Sequence, residues 1–483
     1  ARGMGVAMVL RVPVRRWCRL ASSLAVLLVV GCKQAPPPPP VDAPPVLEGM
    51  TVEIAAPAEL AISERSRLAL DEWQASTGGE FRLQEYMSAA SVSPPAAETA
   101  LAVVPLEQLP DLIAADWPAT IDDPHALADW EDLFRGLRNG IAQPGGEPGV
   151  IPTACPVLAV YYRADLLEAT GRRPPRNWDE YQTLLDERDD WSRGLPALEP
   201  WGPEFRSSMW LARAASYALH PDSVSVLLDL QTADPLLSDP PFLLALEESL
   251  TAIKALDPQS LELGPEECCL AVLEGRAAIA IGTAPAGSTR SSEGVSGDVL
   301  LEADVGTALL PGASRVYERS TGAWQPVEQG SRTTLVGHRG YAACVSQSIA
   351  EDARKAAWSL WAALRMTGEL DDLPFGAAIC RASDVPAAQH EPAAGFTAIE
   401  WRRHVDASVS ALQDTRVLLE LPLPEAARFR EKLSARLTAA IEGTTPPAEA
   451  LQQAANDWQT LIDELGRDKV LNVYRRCHGL MPL

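Results

Sequence analysis

The chain is long enough for more than one domain and has the composition of an ordinary globular protein. It has 483 residues, 47% of them hydrophobic and 22% charged, which excludes collagen, coiled coil and general disorder. The 41 basic and 65 acidic side chains give a net charge of −24. A surface this acidic repels phosphate backbones, and the sequence shows no local basic patch, so we expect no nucleic acid partner.

The first 31 residues have the pattern of an export signal. Basic residues precede an apolar run, Leu20–Val30, which has the length of a signal-peptide core and is too short to span a bilayer. The run ends at Gly31-Cys32, which resembles the lipobox of bacterial lipoproteins, where the cysteine carries a diacylglycerol. We therefore predict a signal peptide over residues 1–31 and lipidation of Cys32. The alternative is a leader that is cleaved elsewhere, with Cys32 an ordinary thiol.

A proline-rich segment follows the predicted lipid site. Pro36–Pro40 is an unbroken run of prolines, which favours the extended polyproline II conformation, so residues 32–49 are predicted to tether a folded body to a membrane outside the cytoplasm. Six cysteines remain beyond the tether, and an exported compartment would permit disulfides between them. Their pairing cannot be read from their spacing; they are Cys155, Cys268, Cys269, Cys344, Cys380 and Cys477.

Strand and helix patterns alternate along the body of the chain. In chain order, strands are predicted near residues 51–56, 81–86 and 100–104, and helices near residues 59–77 and 106–115. A long extended apolar stretch follows at 150–162, and Asn177 with Glu180 three residues on forms a capping-box pattern at the start of a further helix. This alternation favours an α/β fold with a largely parallel sheet.

The segment after the extended stretch carries a family resemblance. Tyr161-Tyr162, Asp165-Leu-Leu, Gly171, Pro174-Pro175 and Trp178-Asp-Glu180 stand in the order found in extracellular solute-binding proteins of family 1, the maltose-binding-protein-like group that serves ABC importers. Four further segments follow in the order that this family uses, and the resemblance covers most of residues 50–465. They are 270–282, 305–312, 340–364 and 421–458.

The resemblance implies a type II periplasmic-binding-protein-like fold, with two α/β lobes joined by crossing strands. We expect the crossings at residues 152–162, 277–284 and 340–346. The N-terminal lobe would then comprise residues 50–154 plus 285–340, and the C-terminal lobe 155–284 plus 341–483. Because Cys155 and Cys344 fall on two of these strands, a disulfide between them is one hypothesis.

The expected ligand site lies in the cleft between the lobes. Glu199-Pro-Trp201-Gly resembles the segment that supplies a hydroxyl acceptor and a sugar-stacking ring in the family, although a tryptophan at such a turn can equally be part of the core. Thr283 and Tyr341 are expected to contribute from near the crossing strands. Trp324 is a weaker candidate, because an isolated tryptophan more often packs than binds.

The resemblance implies a protein that captures a small solute, with a carbohydrate expected, by hinge closure and delivers it to the permease subunits of an ABC importer. We expect a monomer with no cofactor, no metal and no catalytic residue, because the sequence contains no nucleophile elbow, zinc-protease motif or nucleotide-binding loop. The alternative function is a lipid-anchored ligand sensor or interaction module of the same fold with no transport role. An enzyme ranks third.

Overall fold

The computed structural model describes residues 47–58, 60, 64–87, 95–285, 304–365, 379–390, 392 and 395–483. The predicted signal peptide, Cys32 and most of the predicted tether lie outside these residues. No helix in the described part of the chain is long and apolar enough to cross a membrane.

The described residues form thirteen strands. They are β1 (Thr51–Pro57), β2 (Glu80–Tyr86), β3 (Leu101–Pro105), β4 (Ile151–Ala154), β5 (Ala159–Arg163), β6 (Ala197–Leu198), β7 (Ile279–Gly282), β8 (Val305–Leu309), β9 (Ala313–Glu318), β10 (Ala323–Ser331), β11 (Thr333–Val336), β12 (Tyr341–Val345) and β13 (Arg416–Leu419).

Sixteen α-helices occur in the same ranges, together with short 3₁₀ turns at Leu106–Gln108, Pro144–Gly146 and Pro258–Leu261. The helices are α1 (Glu64–Thr77), α2 (Leu109–Ala114), α3 (Pro124–Asp132), α4 (Arg135–Gly140), α5 (Ala164–Ala169), α6 (Trp178–Asp186), α7 (Arg188–Trp191), α8 (Arg206–Ala218), α9 (Pro240–Ala255), α10 (Pro265–Leu273), α11 (Glu351–Arg365), α12 (Val385–His390), α13 (Ala398–Asp414), α14 (Ala426–Ile441), α15 (Pro447–Leu465) and α16 (Arg467–Cys477).

The first lobe is built on a five-stranded sheet in the order β2-β1-β3-β12-β4. Strands β1, β2 and β3 are parallel, whereas β12 runs antiparallel to both β3 and β4. Helix α11 packs against both α1 and α3 beside this sheet. The tryptophans of α11, Trp358 and Trp361, are fully buried there, so they belong to the core of the first lobe.

The second lobe is built on a four-stranded sheet in the order β6-β7-β5-β8, in which β5 is antiparallel to both neighbours. Helix α8 packs against α9 and α14, and α15 packs against α14 and α9. A large apolar core joins these helices to the sheet and contains Trp178, Trp210 and Trp458, all fully buried. The two lobes are in close contact, and residues 45–483 together form one compact unit.

Within the described residues, the strand order of the two sheets defines two of the places where the chain crosses between the lobes. The first crossing runs from β4 in the first sheet to β5 in the second, within the predicted segment 152–162. The second runs from β8 in the second sheet to β12 in the first, over residues 310–340, which include the antiparallel pair β9-β10 and strand β11. Strand β11 pairs in parallel with β13, so these two strands form a small sheet between the lobes.

Two of the expected crossings, and the lobe boundaries that depended on them, are wrong in detail. Strand β7 does not cross, because both it and β8 hydrogen-bond to β5 in the second sheet. Strand β12 does not cross either, because it lies between β3 and β4 in the first sheet. Residues 305–309 therefore belong to the second lobe, and residues 341–345 belong to the first, the reverse of the expected assignment.

Local patterns predicted most elements, with shifted ends. Helix α1 begins at Glu64 rather than at residue 59, and the stretch 150–162 forms two strands rather than one. Asn177 caps α6 as predicted, because its side chain accepts from the Glu180 backbone N–H at 2.8 Å. The second half of the capping box does not form, since the Glu180 carboxylate accepts instead from the backbone N–H of Arg176.

The six cysteines beyond the tether are all buried free thiols. Cys344 packs beside β3 and α2, whereas Cys155 belongs to a different apolar cluster and its thiol contacts that of Cys380. Burial raises the pKa of both Cys155 and Cys344. The proposed disulfide between Cys155 and Cys344 is therefore not formed.

Candidate functional site

Two loops place polar side chains side by side between the lobes. Strands β11 and β13 are parallel, and the ladder continues one step further because the Glu420 backbone N–H donates to the Val336 carbonyl at 2.9 Å. Residues Gly337 and His338 follow β11, and Glu420 follows β13. Because the two strands are parallel, the His338 loop and Glu420 both lie at the carboxyl ends of the strands of this small sheet. The loop then closes through a hydrogen bond from the Gly340 N–H to the Gly337 carbonyl at 3.0 Å.

Glu107 reaches the same place from the first lobe. It lies two residues after the end of β3, and the preceding Leu106 N–H donates to the Gly340 carbonyl at 2.8 Å. Gly337 lies between the two carboxylates. A Cβ added there would be 3.3 Å from Cβ of Glu420 and 4.0 Å from Cγ of Glu107, so the backbone of this loop passes close to both side chains.

Arg430 on α14 joins the two glutamates. Its guanidinium lies 3.1 Å from the carboxylate of Glu107 and 3.4 Å from that of Glu420. The Glu420 Oε1 atom also accepts from the Ser208 hydroxyl of α8 at 2.8 Å. First-lobe, second-lobe and linking segments therefore contribute to one group of neighbouring side chains, four of them hydrogen-bonded, which we call the interlobe cluster: Glu107, Ser208, His338, Glu420 and Arg430.

A cavity lies beside the interlobe cluster and encloses about 310 Å³ of space, part of it open to solvent. Its apolar wall includes Phe205, whose ring meets the His338 ring edge to face at a centroid distance of 4.8 Å. Thr283 enters from the end of β7, and its backbone N–H donates to the Pro265 carbonyl at 3.2 Å. The residues that line the cavity are Pro156, Leu158, Phe205, Ser208, Ala212, Thr283, Leu335, His338 and Glu420.

A glycine allows β7 to bring Thr283 to this position. A Cβ added at Gly282 would lie 2.3 Å from the Pro265 carbonyl oxygen, which is closer than side-chain carbons approach backbone atoms. The last residue of β7 can therefore pack against the start of α10 only as glycine. This close approach fixes where the strand ends and hence where Thr283 meets the cavity.

Burial controls the charge state of the cluster. It lowers the pKa of His338 to about 4, with Arg339 and Arg430 acting in the same direction and Glu107 opposing them, so the imidazole is neutral near pH 7. Burial also raises the pKa of Glu420, although Arg430 and Ser208 oppose this effect. The Arg430 guanidinium is itself buried, but Glu420 and Glu107 outweigh that burial and raise its pKa. The site thus combines a fixed cation with two carboxylates and a neutral imidazole.

Further polar contacts tie the lobes together around the cluster. Arg339, next to His338, forms an ion pair with Glu266 at the start of α10 at 2.5 Å. On α2, the Asp111 carboxylate accepts from the Glu425 backbone N–H at 2.8 Å, just before α14. Arg476 on α16 donates to the Ile113 carbonyl of α2 at 2.7 Å. The lobes are therefore held together by several polar contacts besides the cluster itself.

Known structures share this arrangement of lobes. The sugar-binding protein MalE from Xanthomonas citri superposes with a TM-score of 0.59 at 17% identity, covering 86% of this chain and 100% of that one. A solute-binding protein of an ABC transporter from Agrobacterium radiobacter, solved with ribitol, gives 0.57 at 16% identity with the same two coverages. Maltose-bound MalE3 of T. maritima gives 0.55 at 15% identity and covers 85% of this chain. Neither a protein-family model nor a curated protein sequence matches the chain.

The chain has the fold of the ABC-transporter solute-binding proteins. The expected two-lobed α/β fold is therefore confirmed.

Within this solute-binding-protein fold, Glu199 and Trp201 lie in the core of the second lobe. Both have zero exposure to solvent. The Trp201 indole N–H donates to Glu199 Oε2 at 2.9 Å, and Arg213 pairs with the other oxygen at 3.3 Å. The carboxylate and the indole are thus engaged by the protein itself, and neither lines the interlobe cavity. The expected ligand roles of Glu199 and Trp201 therefore stay predictions, with both side chains packed inside the second lobe.

The other three predicted residues lie apart from one another. Thr283 lines the interlobe cavity. Trp324 is on β10, where its ring contacts Tyr317 and Tyr217 and packs, partly buried, against the core of the second lobe. Tyr341 begins β12 opposite Pro105, and it packs against the core of the first lobe. Of the five predicted ligand contacts, the structure therefore brings only Thr283 to the cavity.

The charged members of the cluster, Glu107, Glu420 and Arg430, were not among the residues predicted for the site. Glu420 directly follows a short strand and Glu107 lies two residues after another, and polar residues at the carboxyl ends of strands are where α/β proteins bind ligands. That signal was present at residues 101–105 and 416–419. Arg430 carried no such signal, since it is one of several arginines on α14 and only packing turns it toward Glu107.

Proposed function

We propose that this protein is a solute-binding protein that closes around a small ligand, with a carbohydrate or polyol favoured, and delivers it to an ABC importer. The observation that supports this most strongly is the interlobe cluster, in which side chains from both lobes and their linking segments converge beside a cavity. A ligand there contacts both lobes only when they are together, so binding favours the closed arrangement.

The comparisons support the ligand class. The chain shares its fold with proteins solved with ribitol, D-mannitol and maltose. The cavity offers the mixture that such ligands need, namely an aromatic wall from Phe205 and hydrogen-bonding groups from Ser208, Thr283 and His338. Hydroxyl groups of a sugar or polyol pair with such donors and acceptors, while Phe205 packs on carbon–hydrogen faces.

We also propose the finer features that the sequence predicts. They are cleavage after residue 31, lipidation of Cys32, an extracytoplasmic location on the bacterial membrane, and partnership with permease subunits. The protein performs no chemistry on its ligand. Mass spectrometry of the N-terminal peptide from the membrane fraction tests the anchor: a diacylated Cys32 is expected, and the Cys32→Ser variant should leave the membrane fraction.

Calorimetric titration with a panel of pentitols, hexitols, monosaccharides and disaccharides tests the ligand class. We expect at least one member to bind the wild type, and we expect Phe205→Ala to weaken that binding at least tenfold. Trp324→Ala is the matched control, because it removes an aromatic ring outside the cavity. If a folded wild type binds nothing in the panel, the carbohydrate proposal fails.

A further inference from the structure

Two arginines lie at the amino ends of the strands in the small sheet between the lobes. Arg332 immediately precedes β11, and Arg416 is the first residue of β13, where it is the register partner of Thr333. Because neighbouring strands lie about 4.8 Å apart, the two arginines extend from adjacent backbone positions. His338 and Glu420 follow the carboxyl ends of the same strands, so the arginines lie at the opposite end of the sheet from the interlobe cluster.

A second cavity opens at this amino end of the sheet. Its volume is about 400 Å³, which lies within the range of small-molecule sites, roughly 300–1,000 Å³. Arg332 and Arg416 both line it, and Leu219, Pro221 and Leu309 form its apolar wall. It shares no lining residue with the cavity beside the interlobe cluster. The two arginines therefore border a space with room for a small organic molecule.

Within the described chain, both guanidinium groups have only neutral hydrogen-bond partners. Arg332 donates to the Leu310 carbonyl at 3.2 Å and to the Arg176 carbonyl at 2.7 Å. Arg416 donates to three backbone carbonyls of the loop 220–223. Since a guanidinium has five N–H donors, these bonds occupy at most two donors of Arg332 and three of Arg416. The carbonyls therefore hold the side chains in place and leave donors for a further acceptor.

Nearby carboxylates do not balance the charge of the two arginines. Burial lowers the pKa of Arg332 and of Arg416; Glu180 opposes this effect at the first and Asp222 at the second, but neither outweighs the burial. Arg430 is the contrasting case, because its two glutamates outweigh its burial and raise its pKa. A partly buried charge without a counter-ion costs free energy, so two such cations at one cavity favour a bound anion.

Asp414 is the acidic residue among the described residues that line this cavity. It is the last residue of α13 and is exposed. The wall therefore carries two positive charges and one negative charge, a net charge of +1. The chain as a whole carries a net charge of −24, which repels polyanions, so the cavity favours a small ligand with one or two negative charges.

We propose that this cavity binds a small organic anion, whose carboxylate or phosphate group lies between Arg332 and Arg416 and whose carbon skeleton packs against the apolar wall. The planar fork of a guanidinium matches the oxygens of both groups. Ser331 adds a hydroxyl to the same wall. This site is separate from the proposed solute site and does not depend on it.

Calorimetric titration with succinate, glycerol 3-phosphate and inorganic phosphate tests this proposal, at pH 7 and at one ionic strength set with sodium chloride. We expect at least one of the two organic anions to bind saturably at a single site, more tightly than inorganic phosphate. Succinate and glycerol 3-phosphate distinguish a carboxylate ligand from a phosphate ester. Arg332→Gln should weaken the binding at least tenfold, because it removes one of the two cations.

Two further variants keep the test decisive. Asp414→Asn removes the opposing charge from the cavity wall, so it should tighten anion binding several-fold, a gain that damage to the fold would not produce. Arg276→Gln removes an arginine charge from an exposed position that does not line the cavity, and it should leave anion binding unchanged. Circular dichroism and thermal melting establish that each variant is folded.

The results that would overturn the proposal are equally specific. A folded wild type that binds none of the three anions saturably would overturn it. A folded Arg332→Gln variant with wild-type affinity would do the same, because the anion is then held elsewhere. Inorganic phosphate that binds as tightly as both organic anions would contradict the role of the apolar wall. None of these outcomes involves the carbohydrate panel, so the proposed function is tested separately.

Discussion

The guanidinium of Arg430 lies 3.1 Å from the carboxylate of Glu107, although Glu107 follows a strand of the first lobe and Arg430 lies on a helix of the second. The two residues are 323 positions apart in the sequence. Their contact exists only while the lobes are together, so it belongs to the closed arrangement of a two-lobed clamp. The same guanidinium also reaches Glu420, which connects lobe closure to the residues that line the cavity.

Glu107→Gln should favour separation of the lobes. The Glu107 side chain is 35% exposed, and partly exposed ion pairs contribute about 0–1 kcal/mol, so the ratio of closed to open forms should fall by up to about fivefold. Small-angle scattering of the ligand-free protein should show a larger radius of gyration for the variant than for the wild type. Lys355→Gln, which breaks an ion pair within α11, is the control and should leave the radius unchanged.

Trp201→Ala should destabilise the fold rather than remove a stacking surface. The ring is fully buried in the core of the second lobe, and truncating a buried tryptophan costs about 3–5 kcal/mol. Urea denaturation measures this loss. Trp324→Ala should cost clearly less, because Trp324 is only partly buried. A folded Trp201→Ala variant of wild-type stability with lost ligand affinity would contradict the assignment of Trp201 to the core.

Arg213→Met should lower the free energy of unfolding by more than the loss of side-chain packing alone would. Arg213 and Glu199 are a buried ion pair, with side-chain exposures of 2% and 0%, and the guanidinium also lies 4.2 Å from the centre of the Trp178 ring. Removing one partner leaves an uncompensated buried charge, which costs about 3–5 kcal/mol. The double variant Glu199→Gln/Arg213→Met should therefore be more stable than Arg213→Met alone in urea denaturation. A less stable double variant would show that the two side chains do not compensate each other.

Acid should destabilise the protein through its buried histidines. Burial lowers the pKa of His404 to about 4, whereas its ordinary value is 6.5, and its ring accepts or donates a bond with the Tyr161 hydroxyl at 3.0 Å. Between these two pH values the unfolded chain binds a proton that the folded chain does not, so the free energy of unfolding falls as the pH falls. At pH 4.5 this histidine alone accounts for a loss of roughly 2–3 kcal/mol, at about 1.4 kcal/mol per pKa unit.

Urea denaturation at pH 7 and pH 4.5 measures this acid effect. His478 has the same lowered pKa of about 4 and should add to the loss. His404→Gln should lower the stability at pH 7 and also reduce the difference between the two pH values. An unchanged difference in that variant would mean that the acid sensitivity arises elsewhere.

The buried cysteines should not react with thiol reagents while the protein is folded. Burial raises the pKa of Cys155, Cys269 and Cys344, and all six cysteines beyond the tether are buried free thiols. In a chain carrying Cys18→Ser and Cys32→Ser, an aromatic disulfide reagent should therefore titrate no thiol before unfolding and six after it. A lower number after unfolding would reveal a disulfide.

The fold was largely predictable from the sequence because its signals are local. Alternating apolar runs, the Asn177 cap and the glycine breaks report on the few residues around them, and these elements occur where they were expected. The lobe assignment of β8 and β12 was not predictable in this way, because hydrogen bonds to strands 100 or more residues away decide it. A strand carries the same apolar pattern in either sheet.

The site was less predictable for a related reason. Glu199-Pro-Trp201 has the composition of a binding loop, yet Arg213 satisfies the carboxylate and the core surrounds the ring, neither of which the local sequence reveals. Arg430 is the opposite case: its local sequence does not suggest a binding site, yet its side chain joins the cluster because it pairs with Glu107 and Glu420. Buried charge pairing depends on tertiary contacts, and a single sequence does not report them.

A distance measurement across the two lobes tests the central claim most directly. Spin labels at Lys355→Cys on α11 and Thr251→Cys on α9, both exposed positions, report on the first and second lobes, and the buried native thiols should not compete for the label once Cys18 and Cys32 are changed to serine. We predict that a saturating ligand from the titration panel shifts the distance distribution and narrows it. An identical distribution with and without bound ligand would contradict a clamp that closes around its solute.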